Sequence, residues 1–257
     1  MRPRPDRIER LPQQYFTALL ARVSEAARQP GAPIVDLGRG NPDVPPPPHV
    51  AARLAEVAAS REARVHGYAP FAGIRTLKEA VAARYHDVYG VELDPEREVA
   101  ILPGTKTALV DFALCVAERG TTIVLPDPGY PDYFSAVALA GARLAPLTVD
   151  PRPDFADAPS ADVAAVYLNY PSNPSAAAAP DGTFADAIAY AGRTGAAVLH
   201  DFAYGDLVFD GRRPASLLAE PGAKEVGIEL FSMSKSYGMA GWRLGFAVGN
   251  AELVGRL

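Results

Sequence analysis

The hydrophobic pattern along the chain changes character near residue 99. Before that point, apolar side chains recur every three or four residues, which is the spacing of an amphipathic helix. This spacing predicts helices over residues 15–28, 50–59 and 74–89. The first helix is expected to end at Pro30 and Gly31, because neither residue type continues a helix well.

Beyond residue 99, short apolar runs alternate with helical windows such as residues 107–118 and 184–193. Seven of these runs are candidate strands: VAIL, TTIVLP, ARLAPLTV, VAAVYLN, AAVLHD, GIELFSM and RLGFAVG. The alternation predicts an α/β fold, a three-layer α/β/α sandwich around a mostly parallel sheet of about seven strands. In such sheets ligands bind at the carboxyl ends of the strands.

The segment IVDLGRGNPDVPPPP, which begins at Ile34, separates the first two predicted helices. Its glycines and its four consecutive prolines exclude a helix, so it is predicted to form an extended strap over the surface. From the residues alone it could equally be a linker. The predicted organisation is an N-terminal helix and strap over residues 1–48 and a large domain over residues 49–257.

Composition and charge narrow the classes of partner. The formal net charge is −5 and the sequence pI is about 5.4, with no basic stripe, so nucleic acid is not an expected partner. No apolar run approaches the length of a membrane span. The N-terminus carries arginines without a following apolar segment, which is not the pattern of a secretory signal.

Cysteine and histidine usage argues against a metal site. The single cysteine, Cys115, excludes an internal disulfide and a cysteine-ligated cluster, and it suits the reducing cytoplasm. It falls in an apolar helical pattern, which predicts a buried core residue rather than a nucleophile. His200 is interpreted as strand packing, because no other histidine or cysteine stands at metal-ligand spacing.

The stretch SMSKSYGMAGWRLG carries the clearest chemistry. Lys235, one of only four lysines, could supply an amine nucleophile between hydroxyl side chains such as that of Ser232. Arg243 follows eight residues later and offers a planar fork suited to a phosphate. A polar loop closed by glycines is the alternative interpretation of this window.

Two other polar clusters directly follow candidate strands. After VAIL, the turn Gly104, Thr105 and Lys106 opens a helix, where free backbone N–H groups favour a phosphate, although simple helix capping would also explain it. After AAVLH comes Asp201, whose carboxylate would be costly to bury without a partner, with Tyr204 three residues further on. A structural aspartate that caps a helix is the alternative here.

Asp201-x-x-Tyr204, then Ser232-x-x-Lys235 and Arg243, together resemble the class I/II aminotransferases, which are pyridoxal-phosphate enzymes of fold type I. The resemblance covers about residues 34–250. It implies a cofactor bound through a Schiff base on Lys235, with Asp201 against the pyridine nitrogen. The catalytic residues implied are Lys235, Asp201 and Tyr204.

The same resemblance assigns the remaining contacts to the cofactor and the substrate. Its phosphate would be held by Gly104, Thr105, Lys106, Ser232 and Arg243, and by Tyr68 reaching across from the partner subunit of a homodimer. Its ring would be covered by Tyr130, and its phenolic oxygen would bond Asn173 and Tyr204. The substrate would lie against Gly40 and Asn41. From the residues alone, Tyr68 could instead be an aromatic side chain packed under a helix start.

The implied activity is transfer of an amino group between an amino acid and a 2-oxo acid. A C–S lyase or decarboxylase with the same cofactor, or a non-catalytic chain that binds it, are the alternatives. The sequence departs from the family in two respects. The family's Asn-Pro-x-Gly motif has Ala176 in place of glycine, which is expected to reshape the following loop. Family chains also continue into a smaller carboxyl-terminal domain, which is expected to be largely missing here.

Overall fold

A computed structural model describes residues 3–31, 33–38, 40–213 and 215–257. Within these residues, all seven apolar runs form strands of one sheet. The strands are β1 Val99–Leu102, β2 Thr122–Asp127, β3 Arg143–Thr148, β4 Val163–Asn169, β5 Ala197–Phe202, β6 Gly227–Ser232 and β7 Gly245–Gly249. The last strand begins two residues later than its apolar run, because Arg243 takes a left-handed conformation with φ 56° and cannot extend it.

The sheet order is β1, β7, β6, β5, β4, β2, β3. The strands from β6 to β3 pair in parallel, whereas β7 is antiparallel to both of its neighbours. The predicted mostly parallel sheet is therefore confirmed. Because β7 runs in the opposite direction, its first residue, Gly245, pairs with Leu102 at the end of β1 and with Ser232 at the end of β6. The start of β7 thus lies at the carboxyl edge of the sheet.

Helices cover both faces of the sheet and complete the three layers. The described residues form ten α-helices: α1 Asp6–Glu9, α2 Tyr15–Ala26, α3 Pro48–Ala58, α4 Arg75–Tyr89, α5 Thr105–Val116, α6 Pro131–Ala140, α7 Thr183–Thr194, α8 Ala223–Val226, α9 Met233–Ser236 and α10 Ala251–Arg256. One core cluster contains side chains of α4 and α7, and the other contains side chains of α5, α6 and α10. Strands between two such layers are buried on both faces, which explains why they read as continuous apolar runs.

Cys115 and His200 have structural surroundings. Cys115 is half-buried rather than fully buried as predicted, its thiol donates to the carbonyl of Arg256, and burial raises its pKa. His200 is fully buried in β5, with its ring nitrogens 2.8 Å from Oε2 of Glu229 and 3.0 Å from the carbonyl of Tyr170. In the described residues, no group of three histidine, cysteine, aspartate or glutamate side chains is placed to hold a metal ion.

The division of the chain at residue 48 stays a prediction. Residues 1, 2, 32 and 39 of the predicted N-terminal segment lie outside the described residues. None of the helices formed by the described part of the chain combines the length and apolarity needed to cross a membrane.

Candidate active site

A cleft of about 1050 Å³ lies at the carboxyl edge of the sheet, between the loops that follow the parallel strands and the strap. Eleven of the thirteen candidate site residues line it: Gly40, Asn41, Thr105, Lys106, Tyr130, Asn173, Asp201, Tyr204, Ser232, Lys235 and Arg243. Gly104 adjoins the cleft through its contact with Arg243. Tyr68 lies elsewhere and is fully exposed.

The antiparallel strand β7 brings the candidate phosphate-binding residues together. Gly104 lies two residues after the end of β1, and Arg243 lies two residues before the start of β7. A Cβ atom placed on Gly104 would lie 2.3 Å from Nη2 of Arg243, so the guanidinium occupies the space that a side chain would need. Gly104 itself has φ +83°, a conformation that favours glycine.

The first turn of α5 leaves donors available at this end of the cleft. Gly104 is the N-cap residue of α5, and no side chain caps the helix. Gly104 thus stands at the N-cap position, as the capping alternative expects, and the phosphate-binding role of the turn stays a prediction. The free N–H groups and the positive end of the helix dipole favour an anion here.

Lys106 also reaches this region, but its ammonium lies 2.8 Å from Oδ2 of Asp132. The Asp132 side chain is buried at the start of α6, next to Tyr130. The positive charge of Lys106 is thus partly compensated inside the protein. The backbone donors and Arg243 are left as the stronger anion-binding groups.

Asp201 is a buried carboxyl group in the cleft, and only one of its two oxygens has a partner in the described part of the chain. Its side chain is buried, Oδ2 accepts a hydrogen bond from the hydroxyl of Tyr133 at 2.7 Å, and Oδ1 has no partner among the described residues. Burial raises the pKa of the carboxyl group, and the bond from Tyr133 opposes that rise. Strand β5 continues to Phe202 and a turn follows it, so Asp201 does not cap a helix.

A chain of hydrogen bonds joins the ends of β4 and β5. The amide of Asn169 donates to the backbone carbonyl of Asp201 at 2.8 Å, and its oxygen accepts from the backbone N–H of Asn173 at 2.7 Å. The side-chain amide of Asn173 in turn lies 3.3 Å from the hydroxyl of Tyr204. Asn173 and Tyr204 therefore present two polar groups side by side to the cleft.

Lys235 differs from the other three lysines. Among the described residues, each of the others lies within 4.0 Å of a carboxylate, whereas Lys235 has no such partner. Its ammonium donates to the backbone carbonyl of Gly40 in the strap at 2.7 Å. Burial lowers the pKa of Lys235, because a half-buried amine without a carboxylate partner is less easily charged.

Tyr130 stands at the wall of the cleft as the N-cap residue of α6. Its ring lies 6.1 Å from that of Phe16 in α2 and 5.6 Å from that of Tyr133, so aromatic neighbours fix it on two sides. Burial and the neighbouring Asp132 raise the pKa of its hydroxyl, which keeps the phenol neutral. The ring is thus available as an apolar face.

Sequence reasoning missed two residues that support the site, Tyr133 and Asn169. Tyr133 lies one turn along α6 from Tyr130, and only the packing of α6 on the sheet directs its hydroxyl to Asp201. Asn169 pairs with Asp201 in the register of β4 and β5. A buried asparagine at the end of an apolar strand was the one signal that could have identified it.

The expected reshaping of the loop after Asn173 stays a prediction. Ala176, which stands in place of the glycine of the family motif, has φ +59°, a left-handed conformation that favours glycine. Its N–H donates to the carbonyl of Ser172 at 2.8 Å, which closes the turn. The alanine therefore adopts the conformation at a cost in strain.

Comparison with known proteins decides the family. The sequence model described as aminotransferase class I and II matches residues 32–257 of the chain. The chain belongs to this aminotransferase family. The resemblance inferred from the Asp201 and Lys235 motifs is thereby confirmed.

Individual relatives agree with the class I and II assignment. The L-glutamine–4-(methylsulfanyl)-2-oxobutanoate aminotransferase of Bacillus subtilis is 44% identical over 254 residues, which cover 96% of this chain and 63% of that protein. The LL-diaminopimelate aminotransferase of Moorella thermoacetica is 41% identical over 256 residues, with 96% and 65% covered. The chain spans 62–66% of the length of the curated relatives it matches.

Solved structures place the chain in the same fold. The substrate-bound structure of BacF from Bacillus subtilis superimposes with a TM-score of 0.90 at 38% identity, covering 100% of this chain and 66% of that one. An aminotransferase from Staphylococcus aureus gives a TM-score of 0.88 at 35% identity, with 98% and 65% covered. The fold type I assignment is therefore confirmed.

Pyridoxal phosphate, which the family implies, fits the residues of this chain at three points. The unpartnered Oδ1 of Asp201 can accept a hydrogen bond from a protonated pyridine nitrogen. The uncapped first turn of α5 beside Arg243 can receive a phosphate. Burial lowers the pKa of Lys235, which increases the fraction of neutral amine that can attack an aldehyde.

Proposed function

We propose that this chain is the cofactor-binding part of a pyridoxal-phosphate-dependent aminotransferase, which transfers an amino group between an amino acid and a 2-oxo acid. The observation that carries the proposal is the buried carboxylate of Asp201, whose Oδ1 lacks a partner in a cleft that also contains Lys235. An unpaired buried acceptor is costly, and a protonated ring nitrogen would satisfy it.

The phosphate of the cofactor would bind where β1, β6 and β7 meet. The backbone N–H groups of Thr105 and Lys106 and the guanidinium of Arg243 supply charge-assisted donors. Ser232 accepts a hydrogen bond from the N–H of Ser234 at 3.2 Å, so its hydroxyl proton remains free to donate. These contacts would hold the ring in a fixed position over the sheet edge.

Pyridoxal phosphate supplies an electron sink for the carbanion formed at the substrate Cα. Around it, Asp201 would accept a hydrogen bond from the protonated ring nitrogen, and the paired Asn173 and Tyr204 would donate to the phenolic oxygen. Tyr130 would cover one face of the ring. Lys235, with its pKa lowered by burial, would hold and move the proton at Cα once its amine is free.

The substrate would bind on the strap side of the cleft, next to Gly40 and Asn41. The relatives named above act on different amino acids by their names, so the proposal is limited to amino acids and 2-oxo acids as classes. The single cysteine of the sequence supports a cytoplasmic location as part of the same proposal.

The direct test is an absorbance titration of the chain with pyridoxal phosphate, compared with Lys235→Ala. A Schiff base on Lys235 should give a band near the edge of the visible range, which borohydride fixes to Lys235 and which the variant lacks. Lys224→Ala is the matched control, because Lys224 pairs with Glu98 outside the cleft and should leave the band unchanged. A folded chain without the band would contradict the cofactor proposal.

The reaction is tested separately with the cofactor-loaded chain. Repeated transamination requires an acceptor 2-oxo acid, so more than one equivalent of keto acid per chain should form from an amino acid only when the acceptor is present. Keto acid formation well beyond one equivalent per chain without an acceptor would instead identify a lyase. A Schiff base with no turnover of any amino acid would leave a chain that binds the cofactor without catalysis.

We also propose a homodimer in which Tyr68 reaches the phosphate of the partner subunit. Tyr68 and Phe71 have relative exposures of 108% and 109%. Large aromatic side chains on the surface of a monomeric protein are usually much less exposed. Sedimentation analysis should therefore give a dimer. Tyr68→Phe should keep the dimer and weaken pyridoxal phosphate binding, because only the hydroxyl contact is lost; unchanged binding would contradict the role of Tyr68.

A further inference from the structure

Asp206 links the turn after β5 to the turn that follows Lys235, and both of these to helix α4, which lies outside the site. It lies in the turn after β5, where the N–H of Leu207 donates to the carbonyl of Tyr204 at 2.9 Å. One carboxylate oxygen accepts from Nη2 of Arg84 in α4 at 2.5 Å. The other accepts from the hydroxyl of Tyr237 at 2.7 Å, two residues after Lys235.

The cluster of Arg84, Asp206 and Tyr237 is partly shielded from water. The side chains of Arg84 and Asp206 are 25% and 22% exposed, so water screens their attraction less than that of a surface pair. The guanidinium also lies 5.0 Å from the centre of the Phe231 ring. Phe231 is the residue of β6 that directly precedes Ser232. Arg84 is thus held against the end of β6 and holds Asp206 there through a charge-assisted bond.

Lys235 itself does little to fix the turn that carries it. Helix α9 is only four residues long, and the one hydrogen bond of the Lys235 amine in the described structure goes to the backbone of the strap. That bond has to break when the amine reacts. The contact of Tyr237 with Asp206 is therefore a side-chain bond that keeps the lysine turn in register with the turn of Tyr204.

We propose that Asp206 and Tyr237 are positioning residues for the Schiff-base lysine. By holding the turn of residues 233–238 against the turn after β5, they would keep the Lys235 amine within reach of the aldehyde of a cofactor that is bound by Tyr204. With the cofactor bound, the amine would condense with the aldehyde, forming a C=N bond and releasing water. The inference rests on the proposed function, and it concerns the covalent link alone.

The test compares pyridoxal phosphate with pyridoxamine phosphate, which has an amine in place of the aldehyde and cannot condense with Lys235. Tyr237→Phe removes one hydroxyl and leaves the pair of Arg84 and Asp206 intact. It should raise the Kd for pyridoxal phosphate about tenfold and leave the Kd for pyridoxamine phosphate within about twofold. Borohydride should also fix less cofactor to Lys235 at subsaturating concentration.

Tyr190→Phe is the matched control. The hydroxyl of Tyr190 donates to the carbonyl of Pro159 at 2.5 Å in the layer formed by α7, away from the cleft. This variant loses a comparable hydrogen bond and should change neither Kd. If Tyr237→Phe does not fold, Asp206→Asn provides the second test, since it removes the charge that Arg84 binds and should weaken pyridoxal phosphate selectively.

The outcomes separate the two proposals. Equal weakening of both ligands, or no change in either, in a folded variant would overturn the positioning role while the cofactor proposal stands. If the unmodified chain binds neither ligand, the proposed function fails and this inference fails with it. Selective loss of pyridoxal phosphate is the result that supports it.

Discussion

The hydroxyl of Tyr133 donates to Oδ2 of Asp201 at 2.7 Å, while Oδ1 of the same carboxylate has no partner among the described residues. Only one of the two oxygens of this buried carboxylate therefore has a hydrogen-bond partner within that part of the chain. Tyr133 orients the carboxyl group and favours its ionised form, whereas burial opposes ionisation. Oδ1 of Asp201 thus remains available as a hydrogen-bond acceptor, and its burial without a partner among these residues lowers the stability of the cofactor-free chain.

Asp201→Asn should stabilise the cofactor-free chain at neutral pH. The pKa of Asp201 is raised in the folded state, so the folded chain holds this proton more tightly than the unfolded chain, whose value is about 3.9. The contribution of Asp201 to stability is therefore lost as the pH rises from about 4 through the raised pKa. Asparagine cannot ionise and so avoids that loss, and we therefore expect a higher free energy of unfolding at pH 7.

Urea unfolding of both chains between pH 7 and pH 4 measures this difference. The advantage of Asp201→Asn should shrink as the pH falls, because the carboxyl group of the unmodified chain becomes neutral. Pyridoxal phosphate should reverse the order at pH 7 by stabilising the unmodified chain more. A difference that stays constant with pH would show that ionisation of Asp201 is not its cause.

Gly104→Ala should weaken cofactor binding beyond its effect on stability. The new Cβ would lie 2.3 Å from Nη2 of Arg243 and would displace the guanidinium from the phosphate end of the cleft. Loss of a charge-assisted bond of about 1.5 to 3 kcal/mol predicts at least about a tenfold rise in the Kd for pyridoxal phosphate.

Gly90→Ala separates the clash from the backbone strain. Gly90 also has positive φ, at +68°, but a Cβ there would meet nothing within 4 Å. This variant should lose about 1 to 2 kcal/mol of stability and keep the Kd. Equal Kd values for the two variants in a fluorescence titration would contradict the role given to Arg243.

Ala176→Gly should stabilise the loop after Asn173. Ala176 has φ +59°, which costs about 1 to 2 kcal/mol for a residue with a Cβ, partly offset by the greater freedom of glycine in the unfolded chain. We therefore expect a gain of about 0.5 to 1 kcal/mol, measured by urea unfolding. Ala177→Gly is the control, since Ala177 has no positive φ and should lose stability instead. A loss in both variants would mean that the strain at Ala176 is relieved by its surroundings.

Hydrophobic pattern was sufficient to predict the strands but not their order. Each strand is a local apolar run, whereas the insertion of antiparallel β7 between β1 and β6 depends on pairing between distant parts of the chain. That insertion is what brings Arg243 beside Gly104. The contact of these two residues was available from the family resemblance and from no local signal.

Buried polar residues show the same limit. Glu229 lies within the apolar run GIELFSM and is fully buried, because it accepts hydrogen bonds from the hydroxyl groups of Tyr85 and Ser216 and from the N–H of Leu217. The hydrogen bonds that compensate the burial of Glu229 form only when three separate segments of the chain come together. The motifs around Asp201 and Lys235 could be read from sequence because the chemistry requires those residue types at fixed spacing, whereas supporting residues are defined only by packing.

Lys235 should be the most reactive lysine of the cofactor-free chain at mildly alkaline pH. Burial lowers its pKa, so a larger fraction of its amine is neutral, and it has no carboxylate partner among the described residues. Limited acylation at pH 8 followed by peptide mass analysis should label Lys235 before the lysines that are paired with carboxylates. Lys224, bound to Glu98, is the internal reference in the same digest. Pyridoxal phosphate should protect Lys235 and leave the labelling of Lys224 unchanged. Equal labelling of both residues in the absence of cofactor would contradict the lowered pKa.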